Sequence, residues 1–253
     1  MRPVNAFLNG VSLRDLDPRI LVRTVNEQAP QESVEYGDRP GEDGQVLISR
    51  RRETRRVSIV FAVRELRDLT ARANVVDAAN RWAQDGNLCV SYRPDKQLRV
   101  VVAARACMQD PRNYNEEYRI DLDAPWPYWE DISPRRATLS GTTGSGSLTN
   151  LGSAPARVCV TVTPTGGALS TLTLTVGGSA FSLSGLGVAQ NTALTIGYDA
   201  RGILYIRAAN ADKLGCRSAA SADDLIAAPG IVSVGFTANT ACNVLFEVRG
   251  CYL

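Results

Sequence analysis

The chain has 253 residues and a net charge of +2, with 28 basic side chains, 26 acidic side chains and no histidine. The missing histidine excludes Ser-His-Asp triads, histidine general bases and the commonest zinc ligand, and the near-neutral balance does not indicate a polyanion partner. No apolar run approaches the roughly 18 residues that cross a bilayer, and the first residues lack the apolar core of a signal peptide. We therefore expect a soluble protein that is made in the cytoplasm and does not insert into a membrane.

Charge is spread unevenly along the chain. Of residues 1–136, 43 are charged, whereas only 11 of residues 137–253 are, and that second part is rich in Gly, Ala, Ser and Thr. Two such compositions indicate two domains with different surfaces. We predict an N-terminal domain of residues 1–136 and a C-terminal domain of residues 137–253.

The first predicted element is a hairpin. Asn9-Gly10 stands between two apolar runs, and this pair accepts the positive φ angles of a type I′ turn. A strand is predicted at 20–25. Residues 31–45 are polar and contain three glycines and a proline, which predicts a long loop or an extended arm.

An arginine-rich stretch lies between the next two predicted strands, at 46–48 and 57–63. It reads Arg50-Arg51-Arg52-Glu53-Thr54-Arg55-Arg56 and is called the arginine cluster below. As a single strand it would have no apolar face, so we expect it to lie outside the core, as a subunit contact or a solvated edge. Nucleic-acid binding is less favoured, because no aromatic residue is interleaved with the arginines.

Residues 65–85 are predicted to form a helix, since apolar residues recur at three- and four-residue spacings and Gly86 follows. The prolines of Pro125-Trp126-Pro127 close the first domain. Strands are predicted at 88–93, 98–106 and 117–122. One helix among antiparallel strands predicts a β-sandwich or split barrel with a packed helix.

The second domain is predicted to be a β-sandwich of short strands separated by glycine turns. Residues 141–155 are predicted to be a linker or turn, with Gly144-Ser145-Gly146 as a flexible loop. The predicted strands are 157–163, 169–176, 179–184, 192–197, 202–208, 231–237 and 242–249.

The sequence carries no recognisable catalytic or metal-binding motif. Serines lack a partner base, and Glu116 and Glu117 would point to opposite faces of a strand. The six cysteines include no C-x-x-C pair, so we expect buried thiols rather than a zinc or redox site. We predict that the protein is not an enzyme and needs no cofactor or metal.

Several segments, in this order, resemble the distal tail proteins of long-tailed (siphovirus-type) bacteriophages. The segments are Leu8-Asn9-Gly10-Val11, Arg39-Pro40-Gly41-Glu42-Asp43-Gly44-Gln45-Val46-Leu47, Arg55-Arg56-Val57-Ser58-Ile59-Val60-Phe61, the helix ending in Trp82, Ala124-Pro125-Trp126-Pro127-Tyr128-Trp129, Ile196-Gly197-Tyr198-Asp199 and Pro229-Gly230. The asparagine usual after the Pro-Gly turn is replaced around Ile231-Val232.

This resemblance implies a structural protein of the virion that is assembled in the host cytoplasm. N-terminal domains would form a hexameric ring around a channel that lets DNA pass, and galectin-like C-terminal sandwiches would lie outside the ring. The implied partners are further copies of the chain, the tail tube protein and the tail hub or tip protein.

The resemblance also assigns roles to charged residues of the first domain. The 31–45 arm would embrace a neighbouring subunit, and the arginine cluster would contact that neighbour or face the channel. The candidate arm residues are Glu32, Glu35, Asp38, Arg39, Glu42 and Asp43. The candidate subunit-contact or channel-facing residues are Arg50, Arg51, Arg52, Arg55 and Arg56.

Two other functions remain open at this point. A carbohydrate- or receptor-binding module of a phage particle would need a concave polar and aromatic site within residues 137–253. Another component of the tail tube would share the β-rich character but would lack the second sandwich.

Overall fold

The computed structural model describes residues 4–38, 44–64, 68–108, 113, 116–199 and 202–253. The chain divides into two compact units, Met1–Trp129 and Glu130–Leu253. The boundary expected from composition, between residues 136 and 137, falls inside a strand that begins at Arg135. The predicted fold class, mainly β with one packed helix and a C-terminal sandwich, is confirmed.

The first unit is a twisted antiparallel sheet with one helix and a separate hairpin. Its elements are β1 (Ala6–Leu8), β2 (Val11–Ser12), β3 (Ile20–Glu27), β4 (Glu32–Asp38), β5 (Gln45–Arg52), β6 (Arg55–Val63), α1 (Leu69–Trp82), β7 (Gly86–Val90), β8 (Arg93–Ala104) and β9 (Glu117–Ala124). The sheet order is β2-β1-β7-β8-β9-β6-β3, whereas β4 and β5 pair only with each other within the described residues. Along β6, Val57, Ile59 and Phe61 are fully buried, as the alternating pattern predicts.

The predicted turn between β1 and β2 is confirmed. Asn9 and Gly10 both have positive φ angles, of 52° and 82°. The Asn9 side chain also accepts a hydrogen bond from the backbone N–H of Asn87 at 2.9 Å. The turn therefore joins β1 to β2 and also ties it to the neighbouring strand β7.

Helix α1 is shorter than predicted. It begins at Leu69, because the carboxylate of Asp68 caps it by accepting from the N–H groups of Thr70 and Ala71. It ends at Trp82, whose indole N–H donates to the carbonyl of Val11 at 2.8 Å. Residues 65–67 of the predicted helix lie outside the described residues. With 14 residues, α1 is too short to cross a membrane, and the described chain has no other α-helix.

The second unit is a β-sandwich built around one long antiparallel strand pair. Strand β10 (Trp129–Asp131) spans the boundary between the two units. The other strands are β11 (Arg135–Asn150), β12 (Ala156–Pro164), β13 (Leu169–Val176), β14 (Ser179–Val188), β15 (Leu194–Tyr198), β16 (Leu204–Ala208), β17 (Ala211–Asp212), β18 (Ile226–Ala227), β19 (Gly230–Val248) and β20 (Cys251–Tyr252). The order is β14-β13-β19-β12-β15-β16-β17, and β11 pairs with β19. The first half of β19 pairs with β13 and the second half with β12, so the β11–β19 strand pair is shared by both halves of the sandwich.

The prediction of a linker or turn at 141–155 is wrong for residues 141–150, which belong to β11, whereas residues 151–155 connect β11 to β12. The glycines there serve close packing rather than flexibility. A Cβ on Gly144 would lie 2.8 Å from Cε1 of Phe236, and one on Gly146 would lie 3.0 Å from Cδ2 of Leu139. Gly144-Ser145-Gly146 is accordingly a paired strand segment and not a flexible loop.

Two further expectations need correction in the second unit. The strands predicted at 231–237 and 242–249 are one continuous strand, β19. Within this strand the side-chain amide oxygen of Asn239 accepts from the N–H groups of Ser170 and Thr171, at 2.9 and 3.0 Å. The cysteines are thiols, but only Cys242 and Cys251 are buried and Cys107 is exposed.

Candidate functional site

The segment 31–45 is mainly a β-hairpin arm, and its interpretation as a long loop is wrong. Strands β4 and β5 pair antiparallel from Glu32 opposite Arg52 to Asp38 opposite Gln45, with one irregularity near Tyr36. This pair is called the arm hairpin below. The candidate arm residues Arg39, Glu42 and Asp43 lie outside the described residues.

The half of the arm hairpin away from the arginines exposes large apolar side chains. Tyr36, Leu47 and Ile48 are 57%, 52% and 62% exposed, and Val46 is 38% exposed. Val34, which lies opposite Arg50 in the other half, is also 38% exposed. The register places Tyr36 directly opposite Leu47. A two-stranded hairpin is marginally stable in water, and clustered exposed apolar residues mark interaction surfaces. The arm hairpin therefore has the composition of a segment that is covered by another surface.

The arginine cluster is not one strand. Its first three arginines end β5, Glu53 and Thr54 connect the strands, and Arg55 begins β6. The N–H of Glu53 donates to the carbonyl of Gln31 at 2.8 Å, which closes the base of the arm hairpin. The cluster therefore marks the root of the hairpin, where it joins the sheet.

Arg50 and Arg52 are paired inside their own chain. Both guanidinium groups contact the carboxylate of Glu32, at 2.8 Å from Nε of Arg50 and 3.2 Å from Nε of Arg52. The hydrogen bond from Arg50, followed by that from Arg52, lowers the pKa of Glu32. Glu32 thus contacts two arginines of its own hairpin, and its contact with a neighbouring copy stays a prediction.

The other described acids of the arm hairpin also have partners within it. Glu35 accepts from the hydroxyl of Ser49 at 3.0 Å. Asp38 accepts from the side-chain amide of Gln45 at 3.0 Å. These pairs lie on exposed surfaces, where side chains can exchange one partner for another at little energetic penalty.

Arg55 contradicts the expectation that the arginine cluster lies outside the core. Its side chain is 4% exposed, and its Nε donates to the carbonyl of Pro127 at 2.8 Å. Burial lowers the pKa of Arg55, while the carboxylate of Glu27, 3.3 Å from Nη1, acts in the opposite direction. A buried arginine cannot contact a neighbour or face a channel, so Arg55 is a structural residue of the hairpin root.

Glu27, the last residue of β3, is the partner that sequence reasoning missed. Its carboxylate accepts from the Tyr92 hydroxyl at 2.5 Å and from the Trp129 indole N–H at 2.9 Å, besides the Arg55 contact. The guanidinium of Arg93 lies 4.0 Å away and 5.2 Å from the centroid of the Trp129 ring. No local sequence signal could identify Glu27, since Trp129 is 102 positions away.

The aromatic–proline segment 124–129 lies at the same root. Nη1 of Arg52 donates to the hydroxyl of Tyr128 at 3.0 Å, and the Tyr128 ring packs against Trp126 with centroids 4.9 Å apart. Arg56 makes two hydrogen bonds to the Asp123 carboxylate, at 2.8 and 3.0 Å. These contacts hold the start of β6 and the end of β9 to the arm hairpin.

The remaining arginine and an adjoining cleft complete the surface. Arg51 is exposed and lies opposite Ser33, on the other face of the arm hairpin from Arg50 and Arg52. A polar cleft of about 690 Å³ opens beside the root. It is lined by Gln28, Ala29, Gln31, Glu53, Thr54, Arg56 and Asp123. The described part of the first unit thus presents an apolar arm, an exposed arginine and a polar cleft.

Comparison by sequence finds no matching family model and no matching curated protein. Comparison by structure finds several similar solved chains, among them three that cover nearly the whole chain. One is the Dit (gp 19.1) protein of phage SPP1, described as a paradigm of the hub adsorption apparatus in phages that infect Gram-positive bacteria. It is 14% identical to this chain with a TM-score of 0.65, and the match covers 97% of this chain and 98% of the SPP1 chain. A chain of the phage P2 baseplate in its activated conformation with Ca is 7% identical with a TM-score of 0.55, covering 99% and 98%.

A chain of the phage p2 baseplate with Sr is 8% identical with a TM-score of 0.50 and covers 98% of both chains. At these identities the likeness concerns the fold. The expected resemblance to distal tail proteins is confirmed at that level, over both units.

Proposed function

We propose that this protein is a structural component of a phage tail tip, with six copies forming a ring that joins the tail tube to the tail hub or tip proteins and lets DNA pass. The observation that carries this proposal is the extent of the structural likeness. A single β-sandwich is a common architecture, but here both units match the SPP1 Dit protein over 97% of the chain. A tail tube component would account for the first unit only.

The arm hairpin is the element that we assign to ring formation. Its apolar half exposes Tyr36, Leu47 and Ile48, and burying such side chains against a neighbouring copy supplies the non-directional part of the contact energy. The root of the arm hairpin is tied to the sheet through the contact between Arg55 and Glu27. A paired hairpin loses less conformational entropy on docking than a flexible loop does.

In this proposal the exposed arginines align neighbouring copies in the ring and place positive charge along its channel. Arg51 lies on a solvent-exposed face, while Arg50, Arg52 and Arg56 carry carboxylate partners of their own chain. Charged contacts between copies would fix the orientation of the ring more than its affinity. Arginines that face the channel would meet DNA phosphates in a salt-dependent way.

The test of this proposal is the mass of the particle in solution, measured by light scattering. We expect about six times the 27.3 kDa of one chain. The double variant Leu47→Asp and Ile48→Asp, on the arm hairpin, should give monomers with unchanged circular dichroism. Ile231→Asp is the matched control, because Ile231 is 79% exposed and lies in the second unit. A wild-type monomer at all concentrations, or a ring that survives the double variant, would overturn the proposal.

A further inference from the structure

In the second unit, the edge strands at the two ends of the sheet order, β14 and β17, are shielded from pairing with further strands. At one end the segment 217–222 lies along β14: the N–H groups of Ser218 and Ala222 donate to the carbonyls of Ser182 and Ala180, at 3.0 and 2.9 Å. The N–H of Ser182 donates in turn to the hydroxyl of Ser221 at 2.7 Å. At the other end β17 has only two residues. Covering an edge or keeping it short are two ways in which natural sheets prevent unwanted strand pairing.

Strand β11 has neither protection. It has 16 residues and, among the described parts of the chain, pairs with β19 along one side only. Residues 137–150 contain no charged residue and no proline, and most of their side chains are exposed and small. An edge strand presents a row of backbone donors and acceptors along its free side, and charge or proline would normally discourage pairing there.

The free side of β11 is preformed. The ladder shifts register between Gly141 and Thr143, which divides the strand into segments 135–141 and 143–150, each regular and long enough to pair with another strand. The end of the strand is fixed by Asn150, whose buried side chain donates to the carbonyls of Ala154 and Ala227 at 3.0 Å. A partner strand would therefore meet an ordered edge and would not have to pay for ordering it.

We propose that the free edge of β11 is a docking site at which an extended segment of a different protein adds as a further antiparallel strand. Main-chain hydrogen bonds would supply the affinity in this mode, which is known as β-augmentation. The uncharged body of β11 favours an uncharged segment rich in β-branched residues. Its two charged residues, Arg135 and Arg136, stand together at its start, so the carboxyl end of an antiparallel segment would carry acidic residues.

Charge argues against a second copy of β11 as the occupant. If two copies paired antiparallel about Thr142, Arg135 and Arg136 of each would lie opposite the uncharged Thr149 and Leu148 of the other. The two irregular regions at Gly141–Thr143 would also meet in the centre, where neither strand continues its ladder. Among the described residues, Arg136 alone of the two arginines has a carboxylate beside it in the ladder, Glu247 at 2.7 Å. A segment that ends in carboxylates matches the edge better.

The probe for this site is a fluorescently labelled peptide of alternating threonine and valine with a pair of aspartates at its C-terminus. Binding to the full-length protein is measured by fluorescence anisotropy. The edge variants Thr138→Lys and Ser145→Lys place charges on exposed positions of β11, and we expect them to weaken binding by at least about tenfold. Thr171→Lys is the matched control: Thr171 is exposed but lies in β13, inside the sheet, and this variant should bind as the wild type does.

Amide hydrogen exchange provides a second measurement that needs no variant. The amides of residues 137–147 should become protected when the peptide is added. The proposal is overturned if the wild type does not bind the peptide, or if the edge variants bind as well as Thr171→Lys. It is also overturned if the protein forms dimers that Thr138→Lys abolishes, since a second copy would then be the occupant. Ring formation through the first unit is measured separately, so either proposal can fail without the other.

Discussion

The root of the arm hairpin offers a sharp test of how the first unit is held together. We predict that Glu27→Gln destabilises this unit strongly, whereas Glu32→Gln changes its stability little. Both variants remove one carboxylate that is paired with arginine at the same root. They differ in burial, since the side chain of Glu27 is 14% exposed and that of Glu32 is 32% exposed.

The magnitude follows from the groups that Glu27 satisfies. Its carboxylate balances the guanidinium of Arg55, which is only 5% exposed, and accepts from Trp129 and Tyr92. Breaking a buried ion pair by removing one partner leaves a buried charge without compensation, a loss of about 3 kcal/mol. Glutamine can still accept with its amide oxygen, but its NH₂ group would face donors on the other side.

The assay is urea unfolding followed by tryptophan fluorescence. All three tryptophans, Trp82, Trp126 and Trp129, belong to the first unit, so the signal reports on that unit even if the two units unfold separately. A loss of about 3 kcal/mol moves the urea midpoint by more than about 1 M for a unit of this size. The reasoning is refuted if Glu27→Gln and Glu32→Gln shift the midpoint equally. Replacing both Glu27 and Arg55 by leucine and methionine should recover part of the loss, because no buried charge then remains.

Three further predictions address assembly, pH and packing. Arg51→Glu should weaken ring assembly most at low salt, because electrostatic contacts are least screened there. Light scattering across a salt series checks this prediction. Normal assembly at every salt concentration would show that Arg51 is merely solvated. Burial raises the pKa of Tyr118 to about 12, so the folded state favours the neutral phenol. The resulting stabilisation is fully present below pH 10.0. It is lost at about 1.4 kcal/mol per pH unit as the pH rises from 10.0 toward 12. Urea midpoints above pH 10.0 should therefore fall less steeply in Tyr118→Phe than in the wild type. Gly144→Ala should destabilise the second unit by about 1–3 kcal/mol, because the new Cβ would lie 2.8 Å from the Phe236 ring. The control Gly215→Ala should not, since a Cβ there meets nothing within 4 Å. Thermal unfolding followed by circular dichroism distinguishes the two variants.

Features that depend on a few neighbouring residues could be predicted from the sequence. The Asn9-Gly10 turn follows from the tolerance of this pair for positive φ, and the structure has both angles positive. The alternating apolar residues of β6 and β13 predict strands with one buried face, and β13 runs from Leu169 to Val176 as predicted. The mainly β class and the resemblance to distal tail proteins rest on such local patterns taken in order.

Features that depend on contacts between distant segments required the tertiary structure. The glycines of β11 have the composition of a loop, and they form a strand because β19 pairs with them and because Phe236 and Leu139 approach too closely for a side chain. The same holds for charge. Whether an arginine is exposed, as Arg51 is, or buried, as Arg55 is, depends on a carboxylate elsewhere in the chain, and Glu27 is 28 positions from Arg55. Backbone preferences act over a few residues, whereas burial and ion pairing are decided only when the sheet brings distant strands together.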